Sequence, residues 1–401
     1  MRRVLFVTAL LVAVTSPVAA QSRAPSRPKL PPQTDTCDAW VYYQYGIAQL
    51  SRDPEDAAAA FYWAERLSPN TALAYYGERI ALLMADPFIL RHYVEGERSA
   101  LQSKDVRRID SLQMRAMALD PFFPQRLDEE LIVAYYNNRV RDNLRQQGEM
   151  SVSDPEIDAY VRTELKDVRG YLRAWLTTAR GNYRDAADLW GIEARNDRKN
   201  TELRAEWAEA LFLANEKDSA RVVLDSALTA ARRSDAQKMK YVYNSKAVWE
   251  YELGQIHELQ GHDSLARDAY QTALVEDLSY HPAHTRLAYV ALRARDTTTA
   301  VTELERAVVI RDNDYSARLL LGTLHASRHA YDSAAAQLQR AIEIEPWVAG
   351  PHLVLGDVRR DAGDRDGAVA EYRRFLALAA LNDADQATAR QRLTALGAQA
   401  P

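Results

Sequence analysis

Apolar and small residues in the second half of the chain recur at two spacings. Within short stretches they lie three or four residues apart, as Leu321, Gly322 and His325 do, which is the spacing of one face of an α-helix. The whole pattern then repeats every 34 residues, as four small residues show: Gly254, Ala288, Gly322 and Gly356. This double periodicity predicts tandem pairs of amphipathic helices between residues 244 and 378.

Three more series share the 34-residue interval and hold, in turn, small, large and mostly small residues. They are Ala266, Ala300, Ala334 and Ala368; Tyr270, Leu304, Leu338 and Tyr372; and Ala273, Ala307, Ala341 and Phe375. The order of residue sizes and the period resemble the tetratricopeptide repeat (TPR) family, whose unit is a helix-turn-helix hairpin. The resemblance implies an all-α fold, a right-handed superhelical solenoid of stacked TPR repeats with an open concave side.

Weaker or interrupted copies of the pattern divide the rest of the chain. Ala174 and Ala208 are 34 residues apart, but Ala208 and Gly254 are 46 apart, which predicts an insertion between two groups of repeats. The predicted organisation is a signal peptide at 1–20, a Pro-rich disordered tether at 21–36, degenerate TPR-like helices at 37–85, an irregular helical region at 86–166, two repeats at 167–233, an insertion at 234–246, four repeats at 247–382 and a C-terminal capping helix with a tail at 383–401. We expect the irregular region to contain helices near 104–118 and 125–145 that stack on the array. Whether the chain is one rigid block or two, hinged near residues 148–153, stays open at this point.

The first twenty residues have the composition of a secretory signal. Arg2 and Arg3 precede an apolar run that is too short to span a membrane, and small residues follow at a potential cleavage site. Removal of this segment would shift the formal net charge from −5 to −7, which favours neither nucleic acid nor an anionic membrane surface as a partner. The single cysteine, Cys37, cannot form an internal disulfide. We therefore expect an exported bacterial protein, periplasmic or secreted, with no membrane span after cleavage.

Candidate catalytic groups are few. The closest approach to a zinc-binding helix motif places His257 and His262 five residues apart rather than four, so the second side chain points away from the first. His257 shares its repeat position with His325, and His284 shares another with His352, which favours packing roles for these residues. Hence the sequence predicts no catalytic residue, no metal site and no cofactor.

The family resemblance also implies where a partner would bind. In TPR proteins the first helix of each repeat lines the concave groove, and the matching positions here form an acidic and aromatic stretch followed by a basic step. The groove residues carried over in this way are Tyr171, Trp175, Glu206, Glu209, Tyr251, Gln255, Arg286, Tyr289, Arg293, Thr323 and Asp357. A groove of this kind would suit an extended peptide.

Three functions are compatible with the sequence. The favoured one is a non-catalytic scaffold or adaptor of the bacterial cell envelope, which binds a protein or peptide segment in the groove. The second is a self-assembling structural subunit of an envelope complex, and a homo-oligomer is left open. The third is an enzyme whose site lies in the irregular region, between residues 86 and 166. Repeat solenoids serve so many assemblies that the fold alone does not decide among them.

Overall fold

A computed structural model describes residues 24–97, 100–148, 152–237 and 245–400. These residues form twenty α-helices and no β-strand, which confirms the all-α repeat solenoid. The helices of the first part, here called the N-terminal block, are α1 (Ala39–Gln49), α2 (Pro54–Leu67), α3 (Ala72–Ala85), α4 (Pro87–Val94), α5 (Ser103–Leu119), α6 (Asp128–Gln147) and α7 (Asp154–Glu164). No helix of the described residues is both long and apolar enough to cross a membrane.

The remaining helices form the repeat array, six hairpins followed by a terminal helix. In chain order they are α8 (Tyr171–Ala179) and α9 (Tyr183–Asn196), α10 (Glu202–Leu213) and α11 (Lys217–Gln237), α12 (Ala247–Leu259) and α13 (Asp263–Glu276), α14 (His281–Arg293) and α15 (Thr297–Ile310), α16 (Tyr315–Ser327) and α17 (Tyr331–Ile344), α18 (Gly350–Asp361) and α19 (Arg365–Leu378), and α20 (Gln386–Ala395). At the insertion, α11 extends to residue 237, and residues 238–244 lie outside the described residues.

The 34-residue series reflect close packing inside each hairpin. A Cβ atom added at Gly254 would lie 2.4 Å from the Tyr270 ring, and one at Gly356 would lie 2.5 Å from the Tyr372 ring. Both distances are far below van der Waals contact, so the first helix needs glycine wherever the second helix carries a tyrosine at this position. The tyrosines are fully buried by this approach.

The turn inside each hairpin repeats with the same period. One residue of every turn has a positive φ: Gly181, Asn215, Gly261, Arg295, His329 and Gly363. These positions are 34 residues apart except across the insertion, where the interval is 46. The left-handed conformation suits glycine and is tolerated by asparagine, but it is strained for arginine and histidine.

Helices of the N-terminal block pack around a separate core built largely from α1, α2, α3 and α5. Pro54, Pro87 and Pro155 each stand in the first turn of a helix, where a missing N–H costs no hydrogen bond. The side chain of Phe61 touches both Gly46 of α1 and Gly77 of α3, so these helices follow the hairpin packing of the array without its strict period.

One sequence prediction is corrected at the N-terminus. The predicted tether, residues 21–36, is extended but not free from residue 25 onwards: Trp63 Nε1 donates to the Pro25 carbonyl at 3.1 Å, and the Arg27 guanidinium lies 4.4 Å from the Trp63 ring centroid. Stacking of this cation on the buried Trp63 indole holds a proline-rich segment that composition alone predicts to be disordered. The predicted signal peptide lies outside the described residues.

Candidate interaction surface

The first helices of the hairpins (α8, α10, α12, α14, α16 and α18) line one side of the array, which we call the groove surface. Much of it is covered by the chain's own N-terminal block. At the α8 end, Trp175 Nε1 donates to Asp128 Oδ2 at 2.8 Å. At α10, Gln125 Nε2 donates to Glu209 Oε1 at 3.2 Å. At α12, the Tyr251 hydroxyl donates to the Ala118 carbonyl at 2.7 Å.

These contacts continue towards the end of the array in reverse chain order. Asn70 hydrogen bonds with Ser316 of α16. Arg66 Nη1 forms an ion pair with Glu345 Oε1 at 2.9 Å, just before α18. Asp35 Oδ2 accepts from the Leu381 amide at 2.7 Å, beyond α19. Residues 35 to 128 therefore follow the array antiparallel to it, and the two parts pack along most of their length.

Aromatic stacking anchors this arrangement at both ends. The Phe122 ring, 5% exposed, stacks on Phe212 of α10 with 3.8 Å between ring centroids. Near the other end, Trp63 meets Trp347 edge to face at 5.3 Å, and Arg27 lies 5.3 Å from the same Trp347 ring. Aromatic surfaces removed from water in this way supply a large part of the energy of an interface.

Three glutamates of the groove surface are crowded beneath the N-terminal block. Two effects raise the pKa of Glu252 to about 8. The larger is the removal of water by the surrounding protein, and the smaller is the neighbouring charge of Glu206. Loss of hydration also raises the pKa of Glu206 to about 7, although its side chain still contacts solvent, and raises that of Glu209 well above its usual range. Like charges in a poorly hydrated site oppose ionisation, so these carboxyl groups hold their protons to a higher pH than free glutamates do.

The predicted basic step is satisfied within the molecule. Arg286 lies against the buried Tyr251 and Gln255, whose amide oxygen, when turned towards it, accepts from Arg286 Nε at 3.2 Å. Arg293 pairs with Glu258 and Asp263, both at 2.8 Å. Of the groove residues predicted in this part of the array, Arg286 contributes to a cavity and Arg293 to an exposed ion-pair network.

The other predicted residues are distributed along the same surface. Tyr289 is 39% exposed at the edge of the cavity that Arg286 also lines. Thr323 is exposed, and its hydroxyl donates to the Leu319 carbonyl one turn earlier in α16. Asp357 accepts a hydrogen bond from Tyr372 at 2.7 Å and pairs with Arg360 and Arg392. Thr323 and Asp357 therefore lie outside the covered centre of the groove surface, and their role in partner binding stays a prediction.

The α8 end of the groove surface is open. Tyr171, 63% exposed, and Trp175 line a cavity of about 280 Å³ together with Tyr135, Tyr136 and Arg139 of α6. The Tyr135 hydroxyl donates to Glu95 Oε1 at 2.9 Å, and Arg139 Nη1 donates to the same hydroxyl at 3.3 Å. Four aromatic side chains with one cation and one carboxylate at the margin make a recess suited to an apolar or aromatic side chain of a ligand.

The histidines are arranged by the repeat. Nδ1 of His284 lies 2.6 Å from Glu303 Oε2, and Nδ1 of His352 lies 2.7 Å from Glu371 Oε2. Both pairs join the first helix of a hairpin to its second helix at equivalent positions. The described residues hold no group of three or more His, Cys, Asp or Glu side chains that could bind a metal ion.

Sequence reasoning missed the residues that cover the groove surface. Arg115, Ala118, Phe122 and Gln125 belong to the irregular region, and nothing in their spacing relates them to the repeats. A signal was available in composition: the segment Pro121 to Pro124 carries two adjacent phenylalanines between prolines, which is unusual for a solvated connection.

No protein-family model and no curated protein sequence matches the chain. Solved structures resemble it at low identity. The crystal structure of YrrB, described as a TPR protein with an unusual peptide-binding site, is 21% identical over 52% of this chain and 100% of its own, with a TM-score of 0.41. MamA is 19% identical over 44% of this chain and 90% of its own, with a TM-score of 0.38. The C-terminal part of a TPR repeat-containing protein from Cytophaga hutchinsonii is 15% identical over 56% of this chain and 82% of its own, with a TM-score of 0.44.

Proposed function

We propose that this protein is a non-catalytic interaction scaffold of the bacterial cell envelope, and that it binds a segment of a partner protein at the open α8 end of the groove surface. The observation that carries the proposal is the aromatic recess around Tyr171, because the centre of the groove surface is already covered by the chain itself. Tyrosine and tryptophan contribute large contact areas at small entropic cost, which makes them typical of binding surfaces.

The recess also suggests the chemistry of the partner segment. Its walls are aromatic, so an apolar or aromatic side chain would be buried there. The Arg139 and Glu95 side chains at the margin could then fix the orientation of the partner's main chain or of flanking charges. An extended or helical segment that presents one such anchor fits better than a long peptide running through the groove.

Affinity capture from an envelope extract of the source organism tests this proposal. The baits are the native chain, Tyr171→Ala and Tyr160→Ala; Tyr160 is a second exposed tyrosine, 55% exposed on α7 and outside the recess. We expect a partner that Tyr171→Ala loses by tenfold or more and that Tyr160→Ala keeps. Equal recovery on all three baits would place binding elsewhere, and no recovery on any would argue against a scaffold.

Export is a separate part of the proposal. Cell fractionation and N-terminal sequencing of the mature protein test it, and we expect a chain that begins near Gln21. A full-length chain in the cytoplasm would refute the envelope location without affecting the binding surface.

Self-assembly is the second candidate, and one observation favours it. Val275 and Val309 are each 83% exposed and occupy equivalent repeat positions on α13 and α15, and Leu278, three residues after Val275, is 79% exposed. Adjacent exposed apolar side chains of this kind are common at protein contacts. Sedimentation velocity across a hundredfold range of concentration decides: a constant sedimentation coefficient would exclude assembly through this surface.

A further inference from the structure

A second cavity, of about 250 Å³, lies where the N-terminal block meets the middle of the array. The C-terminal half of α5 forms one wall, and the first turns of α14 and α16 form another. Because the two walls come from distant parts of the chain, the cavity exists only while the N-terminal block is docked. It is separate from the aromatic recess at α8.

Three arginines line this cavity: Arg115, Arg286 and Arg311. Arg115 lies 4.6 Å from the Tyr75 ring centroid, and within the described parts of the chain it has no carboxylate at ion-pair distance. Acidic side chains act on its charge from beyond ion-pair distance, among them Glu65 and Glu345. Glu345 pairs with Arg66 and Glu78 pairs with Arg108, while burial and the charge of Glu78 raise the pKa of Glu65 well above its usual range.

Arg311 is in a similar position. Within the described residues its hydrogen bonds go to neutral groups, Asn313 Oδ1 and His281 Nε2, each at 3.3 Å. Burial, with Arg311 and Arg115 nearby, lowers the pKa of His281 to about 4, so this imidazole is neutral at physiological pH. Asp314 is the one acidic residue of the lining. Arg286 is already paired with Glu258, at 3.7 Å between Nη1 and Oε1. Arg115 and Arg311 against Asp314 therefore leave the lining with a net charge of about +1, and an unbalanced buried charge is costly.

Neutral donors complete the site. The Thr285 hydroxyl oxygen is shielded from solvent and has no hydrogen-bond partner within the described residues, although it lines the cavity. Tyr315 and Ser316 form the first turn of α16, where backbone N–H groups have no partner within the helix. A helix of this length adds positive potential at its first turn. Arginine, hydroxyl and free N–H groups are together the donors that bind oxyanions.

We propose that this cavity binds a small organic dianion, a phosphate monoester or a short dicarboxylate. One negative charge would balance the lining, and the second would face Arg286, whose ion pair with Glu258 is long at 3.7 Å. The volume is below the range of sites for drug-sized ligands, so a compact ligand fits and a nucleotide does not. Since α5 and the array hold the ligand jointly, its binding stabilises the docked arrangement of the two regions.

Isothermal titration calorimetry with the full chain tests this proposal, with inorganic phosphate and succinate as probes at constant ionic strength. The variants are Arg115→Gln, Arg311→Gln and Thr285→Val, and the control is Arg107→Gln, a solvent-exposed arginine on α5 outside the cavity. We expect saturable binding of at least one probe, a loss of tenfold or more in affinity for each cavity arginine variant, a loss of a few-fold for Thr285→Val, and none for Arg107→Gln.

The relative affinity of the two probes identifies the ligand class, since tighter phosphate binding indicates a phosphate ester and tighter succinate binding a dicarboxylate. Circular dichroism confirms that each variant is folded, and Thr285→Val, which keeps the side-chain shape, preserves the test if an arginine variant unfolds. The proposal is overturned if neither probe binds saturably to the native chain, or if Arg107→Gln weakens binding as much as Arg115→Gln does.

Discussion

The repeat array and the N-terminal block are both built from paired helices, but they are held together by different kinds of contact. In the array, the two helices of each hairpin contact each other through equivalent positions, as Gly254 with Tyr270 and Gly356 with Tyr372 show. The block is fixed by individual contacts over long sequence distances, such as Tyr251 with Ala118 and Arg66 with Glu345. Contacts between residues close in sequence build the array, and contacts between residues far apart in sequence attach the N-terminal block to it.

This difference has a functional consequence. A free array would offer its groove surface to any complementary segment, whereas here the docked block already uses Trp175, Glu209 and Tyr251. The two proposed binding sites, the aromatic recess at α8 and the arginine-lined cavity near α14, each take part of their lining from the block, Tyr135 in the first and Arg115 in the second. The block thus acts as part of the binding surface as well as its cover.

The largest expected effect comes from removing an anchor of the docked block. Phe122→Ala deletes a ring that is 5% exposed and stacked on Phe212, so we expect a loss of roughly 3–4 kcal/mol in the free energy of unfolding. Chemical denaturation measures the loss. Hydrogen exchange should also show faster exchange in α10 and α12, because their covering segment loosens.

The matched control is Phe88→Ala. Phe88 belongs to the same block, but its side chain is 55% exposed, and we expect a change below about 0.5 kcal/mol. If Phe122→Ala were as mild as this control, the block would not be held by its contact with α10. The comparison drawn above would then be wrong.

A smaller, pH-dependent effect is expected from the crowded glutamates. The pKa of Glu252 rises from 4.5 to about 8 on folding, so the folded chain binds this proton more tightly than the unfolded chain does. The contribution of Glu252 to stability is therefore fully present below pH about 4.5 and is lost as the pH rises to about 8. Glu206 and Glu209 face it and titrate in the same direction.

Glu252→Gln removes this contribution, since glutamine is neutral at every pH. We expect the stability of the variant relative to the native chain to increase by roughly 1–3 kcal/mol between pH 5 and pH 8.5, a figure reduced to allow for partial solvent screening. Denaturant titrations at several pH values measure the difference. Glu305→Gln, on the exposed face of α15, should leave the pH dependence unchanged. A parallel pH profile for Glu252→Gln would show that the block does not dehydrate this part of the groove.

The same distinction explains what could be read from the sequence. Residues of similar size recur at positions such as Ala266 and Leu338 because every hairpin packs its two helices in the same way. Periodicity therefore revealed the hairpins of the array. The covered groove could not be inferred in this way, because the contact between Phe122 and Phe212 belongs to no repeat and produces no periodic pattern in the sequence. The predicted groove residues lie on the predicted helices, but their environment depends on a non-periodic segment.

The smallest expected effect concerns the array alone and its turns. Arg295 has a φ of 59° at a position where three of the five equivalent turns carry glycine, and its side chain is exposed. Arg295→Gly removes the strain of the left-handed conformation and adds entropy to the unfolded chain; the first effect is the larger, so we expect a gain of about 0.5–1 kcal/mol.

Asn215→Gly is the control, because asparagine already tolerates its φ of 64°, and it should change stability little. Gly261→Ala is the reverse test: no atom lies within 4 Å of the added Cβ, so any loss in stability reports the backbone conformation alone. A loss with Arg295→Gly, or none with Gly261→Ala, would mean that the period of the turns reflects something other than their backbone conformation.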